Sequence, residues 1–202
     1  MPDTPPSAAP SPVVSVVMPT YKQARFLPRA VQSLLDQTLT NWELIIVDDG
    51  SPDDTQQVVQ PYLADPRVRL ITFPRNAGLG RALNAGLDAA RAELIAYLPS
   101  DDVYYPGHLA SLAACFTNQP DLALASSGLR HSYNRYAADH AHNEALQLVQ
   151  TMHRRTPDRW LERAELTTDD LDRMLWNRLR ARGAEASTGE ITCEWVDHPG
   201  QR

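Results

Sequence analysis

Lysine is nearly missing from this chain: Lys22 is the only one in 202 residues, although 19 basic residues are present. Chemistry that demands a buried lysine therefore has one candidate. Cysteine is scarce too. Cys115 and Cys193 lie far apart and match no metal-ligand spacing, which points to reduced thiols and against a disulfide framework. No apolar run approaches the roughly 20 residues that cross a bilayer, and the N-terminus lacks a charged segment leading into an apolar one. A cytoplasmic location is expected. Nor is there an excess of positive charge: 19 basic against 25 acidic residues leave a net charge of -6, which argues against a nucleic-acid polyanion as the main partner.

The composition that remains, 43% hydrophobic and 22% charged, is that of a globular domain able to bury an adequate core. The proline-rich opening, residues 1–12, has little to bury and reads as a disordered tail. From Val13 a rhythm begins. "VVSVVM" is an apolar, β-branched run suited to a strand covered on both faces. "FLPRAVQSLLDQ" then has the helical spacing Leu27, Val31, Leu34, Leu35. "WELIIVDDGSPDDT" is a buried strand with an acidic turn, after which Asp53, Asp54 or Thr55 starts a helix ending near Pro61. "VRLITF" and "LIAYL" are further strands. Between them lies a glycine-opened helix with Leu79, Leu83 and Leu87 on one face, and Pro106 suits the first residue of the next helix. With "LALASSG" as a fifth strand, the alternation predicts an α/β fold: a mostly parallel sheet flanked by helices.

After Gly128 the pattern becomes irregular. A hairpin or loop is expected first, then a strand at "LVQTMHRR", a helix at "TTDDLDRMLWNRLRARG" ending at Gly183, and a last strand at "ITCEWV". Residues 13–128 and 129–202 read as two halves of one domain, the second shorter and completing the site.

Ligands of open parallel sheets bind at the carboxyl ends of the strands. Polar clusters stand at those ends: "PTYK" after the first strand, "DDGS" after the second, "PSDD" after the fourth. Asp101 and Asp102 repel each other unless they face open water or a cation. A phosphoacceptor receiver domain would need its acidic pair after the first strand and a lysine after the fifth, and neither is present. A dinucleotide-binding oxidoreductase would need Gly-x-Gly-x-x-Gly after the first strand, where "PTYKQA" has no glycine.

The stretch "VSVVMPTYKQARFLPRAVQSLLDQTLTNWELIIVDDGSPDDT", followed by "RNAGLGRALNAGLDAARAELIAYLPSDD", closely resembles the family 2 nucleotide-sugar glycosyltransferases of GT-A fold. The resemblance runs from about Val13 to Leu124 and continues more weakly from Val149. It implies that Pro19, Thr20 and Tyr21 wrap the base and ribose, with Tyr21 stacking on a pyrimidine. Asp49 matches the carboxylate that grips the base, with Asp48 beside it, and Arg81 matches a partner of base or diphosphate. The usual Asp-x-Asp-Asp is shortened here, because Pro99 stands at its first acidic position. That is similar to the spore-coat polysaccharide type, in which an adjacent pair remains. The resemblance implies that Asp101 and Asp102 hold magnesium or manganese at the donor diphosphate, with His198 as a third ligand. Few carboxylates plus phosphate oxygens and water suit such a hard cation.

A general base is also implied, near the start of a late helix. Counting back from Trp176 and Arg178 selects Asp172, whereas the acidic pair at the helix start selects Asp169 and Asp170. Asp170 ranks first, because a first-turn carboxylate points from the helix end toward the sheet rim. His153, Arg154 and Arg155 are candidates to touch a phosphate. The activity implied is inverting transfer of a sugar from a nucleotide-diphosphate sugar to an acceptor hydroxyl, with UDP first and dTDP or GDP as alternatives. The competing reading is a degenerate GT-A domain that binds nucleotide or nucleotide sugar without transfer.

Overall fold

The computed structural model describes residues 11–131, 137–138, 146–163, 171–196 and 198. Strands β1 (Val14–Thr20), β2 (Trp42–Asp48), β3 (Val68–Thr72) and β4 (Leu94–Tyr97) lie in the order β3-β2-β1-β4, all parallel. The connecting helices are α1 (Leu27–Leu35), α2 (Thr55–Val59) continued by a 3-10 turn (Gln60–Ala64), and α3 (Leu79–Ala89). Further along come β5 (Val103–Tyr104), α4 (His108–Phe116), β6 (Leu122–His131), β7 (Ala137–Ala138), β8 (Thr151–Arg154), α5 (Leu171–Arg180) and β9 (Ala184–Trp195). The sheet continues past β4 as β8-β6-β9-β5, with β7 paired to the far part of β6.

Every residue of β1 and β2 is buried, as continuous apolar strands in a doubly covered sheet require. Side chains alternate between two cores. Val14, Val16 and Met18 face α1 and α4. Val17 faces α3 and α5, where Leu83, Leu87, Leu175 and Trp176 close the other layer.

The expected alternation holds through β6, with three local differences. Pro106 precedes α4, which begins at His108 after Gly107, because the Tyr105 carbonyl first closes a turn with the His108 N–H. Leu79 is 43% exposed although Leu83 and Leu87 are buried, so the first turn of α3 shows its leucine to the cleft described below. Gly183 lies beyond the end of α5, where an added Cβ would stand 2.2 Å from the Asp121 carbonyl oxygen; close backbone approach, and not a helix cap, requires glycine there.

A larger difference lies in the second half. Strand β8 is shorter than expected, because Leu148–Gln150 form a 3-10 turn. It runs antiparallel between β4 and β6, pairing Leu94 with Arg154 and Ala96 with Met152. Strand β9 is longer than "ITCEWV", reaching back to Ala184 along β6.

Candidate donor and acceptor cleft

The carboxyl ends of β1, β2 and β4 open onto a cleft of about 990 Å³. Pro19, Thr20, Tyr21, Asp49, Asp101, Asp102 and His198 all line it, as does Asp172 in the first turn of α5. The structure thus gathers most of the sequence candidates at one rim.

Asp49 is almost fully buried and accepts three hydrogen bonds. Its Oδ1 takes the Ala77 N–H at 2.6 Å, and its Oδ2 takes the Gly78 N–H at 2.9 Å and the Asn76 amide at 2.8 Å. The carboxylate therefore sits at the start of α3, where backbone N–H groups favour negative charge. Gly78 adopts φ 100°, which is open to glycine and strained for other residues. Asp48 is buried, one oxygen accepting the Ser51 N–H and the other lacking a partner among the described residues. Tyr21 is 38% exposed on the cleft wall, with the Lys22 ammonium 5.0 Å from its ring centre. Arg81 lies outside the cleft. It lines a smaller neighbouring recess with Phe73 and Arg75, and its guanidinium is 3.7 Å from Glu162.

Asp101 and Asp102 are both buried at the cleft wall. Asp101 Oδ2 accepts from Gln23 Nε2 at 2.7 Å and lies 2.9 Å from His198 Nε2. Asp102 Oδ1 accepts the Val196 N–H at 3.0 Å. The hydrogen bonds among the described residues thus go to one oxygen of each carboxylate, Asp101 Oδ2 and Asp102 Oδ1. Burial, then the charges of Asp101 and Glu194, push the Asp102 carboxyl well above the usual carboxylate range. Two adjacent carboxylates with one remaining oxygen each, both lining the cleft, form an oxygen set that fits magnesium or manganese. His198 contacts the pair through Asp101 and stacks on Phe26 with ring centres 4.2 Å apart. Among the described residues no group of three or more His, Cys, Asp and Glu side chains is arranged to hold a metal.

Of the three base candidates, Asp169 and Asp170 lie outside the described residues, and Asp172 faces the cleft. The basic "MHRR" segment does not reach it. Because β8 runs antiparallel to β4, residues 153–155 lead toward the opposite rim. His153 is buried, its Nε2 2.8 Å from the Tyr97 hydroxyl, and burial lowers its pKa to about 4. Arg154 pairs with Glu93, and Arg155 donates to the Ala90 carbonyl.

Sequence reasoning missed Gln23, Arg25 and Arg163, all on the cleft wall. Arg163 packs beside Gly78 and donates to Asn76 Oδ1, extending the Asp49 network to the cleft mouth. Arginine and glutamine outside a recognisable motif carry no local signal.

The model of the family described as "Glycosyl transferase family 2" matches residues 15–189. Among curated proteins, the chain is 34% identical over 134 residues to the chondroitin synthase of Escherichia coli, covering 61% of this chain and 19% of that one. It is 44% identical over 105 residues to the succinoglycan biosynthesis protein ExoO of Rhizobium meliloti, covering 52% and 30%. The chain thus spans about a fifth to a third of the length of these relatives. Among solved structures, Staphylococcus aureus TarS 1-349 in complex with UDP-GlcNAc superposes with TM-score 0.79 at 19% identity, covering 93% of this chain and 59% of that one. The mannosyltransferase PcManGT of Pyrobaculum calidifontis, in complex with GDP-Man and Mn2+, superposes with TM-score 0.73 at 16% identity, covering 98% and 61%. These likenesses identify the fold as GT-A.

Proposed function

Since the chain belongs to glycosyltransferase family 2, we propose that it transfers a sugar from a nucleotide-diphosphate sugar to an acceptor hydroxyl with inversion. The observation that carries this reading is the pair Asp101 and Asp102, buried side by side with an unclaimed oxygen each, in the same cleft as Asp49, Tyr21 and Asp172. The chemistry needs a donor grip, charge stabilisation where the nucleotide leaves, and a base on the acceptor side. Thr20, Tyr21 and the loop ordered by Asp49 are the donor grip. UDP is the first choice of nucleotide, and dTDP and GDP are the alternatives.

Asp101 and Asp102 are the residues that hold a divalent cation, manganese or magnesium, which supplies charge neutralisation to the departing nucleotide diphosphate. Asp172 is the base, because it lines the cleft from the first turn of α5. Its carboxylate takes the proton of the acceptor hydroxyl while that oxygen bonds to the anomeric carbon. On the opposite face the bond to the diphosphate breaks, and its electron pair leaves with the nucleotide.

Calorimetric binding of UDP, dTDP and GDP, each with manganese and with chelator, tests the donor site on native protein and on an Asp101→Ala, Asp102→Ala double variant. One nucleotide binds native protein more tightly with the metal, and the double variant loses that dependence. If no nucleotide binds under any condition, the donor-site reading fails. Nucleotide binding without sugar transfer to any acceptor would favour a binding domain over an enzyme.

A further inference from the structure

We propose that Gln23 is a positioning residue that fixes which oxygen of Asp101 faces the cleft. The inference rests on reading Asp101 and Asp102 as the cation-holding pair. Gln23 stands in the turn between β1 and α1, and its backbone carbonyl accepts the Phe26 N–H at 2.9 Å, starting the helix. The side chain is free for another task. Its amide nitrogen donates to Asp101 Oδ2 at 2.7 Å, and its amide oxygen accepts from the Ser100 hydroxyl. Ser100 Oγ is also 3.0 Å from Thr20 Oγ1.

Proton counting sets the direction of this chain. An amide oxygen only accepts, so the single Ser100 proton goes to Gln23, and the second contact of Ser100 must be donated by Thr20. Thr20 thus donates to Ser100, Ser100 to Gln23, and Gln23 to Asp101, each bond polarising the next. Ser100 is fully buried and Thr20 nearly so. The result ties the end of β1 to the end of β4 and commits Asp101 Oδ2. On Asp102 the Val196 N–H claims Oδ1 in the same way. Each carboxylate is left with one oxygen, and both residues line one cleft. With Pro99 in place of a further carboxylate, the pair has few ligand atoms to lose, so their aim matters more.

Gln23→Leu keeps most of the side-chain volume and removes both polar atoms. Native and variant protein are titrated with manganese in the presence of UDP, following free metal by its paramagnetic resonance, and thermal unfolding is recorded in chelator. Partners of this kind typically set metal affinity by 10- to 100-fold, and a loss of about that size is expected. The unfolding midpoint in chelator should shift by no more than about 4 °C. Ser100→Ala, which removes the donor to Gln23, should weaken manganese in the same direction by a smaller factor, and it serves if Gln23→Leu does not fold. Unchanged manganese affinity in both variants overturns the inference and leaves the donor-site reading standing. So does a parallel collapse of manganese affinity and of stability in chelator, which would mark a structural role. Failure of the native protein to bind manganese with any of UDP, dTDP and GDP overturns both readings together.

Discussion

At the scale of the residue, the cleft carries carboxylates from two sources, Asp49, Asp101 and Asp102 beyond the strand ends and Asp172 on α5. Asp49 spends both oxygens on the start of α3, and Asp101 and Asp102 each spend one on the protein. Asp172, in the first turn of α5, is the described carboxylate of that helix that lines the cleft. Asp172→Asn keeps the shape and removes the basicity. Its kcat should fall by about 10²–10⁴, while calorimetry shows UDP affinity within twofold of native, since donor groups are untouched. Full activity in Asp172→Asn together with loss in Asp170→Asn would move the base two positions earlier in the sequence. Legibility at this scale follows the motifs. Asp49, Asp101 and Asp102 could be singled out because acidic pairs at strand ends are chemically conspicuous. Gln23 could not, because its partner stands 78 positions away and an uncharged amide in a turn resembles any other.

At the scale of the element, a strap, residues 155–163, lies against α3 and brings Arg163 to the cleft wall. Asn84 holds it at both polarities, accepting the Trp160 N–H and donating to the Trp160 carbonyl. Gly80 makes room for it: an added Cβ would lie 1.9 Å from the Leu161 carbonyl oxygen and 2.9 Å from its carbon. Both are backbone atoms, so Gly80→Ala must displace the strap or α3. Overpacking of this kind costs about 1–3 kcal/mol, which at ~2–4 °C per kcal/mol is visible in a thermal melt. Because Arg163 and Asn76 carry the displacement to Asp49, UDP affinity should weaken as well. A variant with native affinity would show that the strap does not position the donor site. Local periodicity made α1, α3 and the parallel strands readable. The antiparallel insertion of β8 was not, because strand sense and neighbour are set by long-range pairing that four residues cannot encode.

At the scale of the whole molecule, the candidate site and a buried charge network occupy opposite rims. The cleft lies at the carboxyl ends of the strands, and at the other rim stands Glu43, a buried carboxylate inside the apolar run of β2. Ser15, directly across on β1, donates to it at 2.6 Å; Arg91 donates through its backbone N–H and guanidinium, and Arg69 donates from β3. One side chain thus joins three neighbouring strands and the approach to β4. A lone glutamate between Trp42 and Leu44 was the available sequence signal for it. Burial alone would raise the Glu43 carboxyl, but the Ser15 hydroxyl, the Arg91 donors and the Arg69 charge outweigh burial and leave its pKa lowered. A folded-state pKa below the unfolded value of about 4.3 stabilises the protein fully above that pH, and the contribution is lost as pH falls through the folded value. Glu43→Gln leaves two arginines short of their anion. Breaking such a pair costs about 3–5 kcal/mol when both partners are buried, and about 2–4 kcal/mol is expected here because Arg69 and Arg91 reach water. Thermal melts of both proteins from pH 8 downward give the check: the gap between their midpoints should stay constant to about pH 5 and narrow below about 4.3. Asp53, Asp65 and Asp158 also have lowered pKa values, but they are common to both proteins and cancel in the difference. A gap that persists unchanged through acid would mean that Glu43 acts by packing, with its charge irrelevant to the joint between the strands.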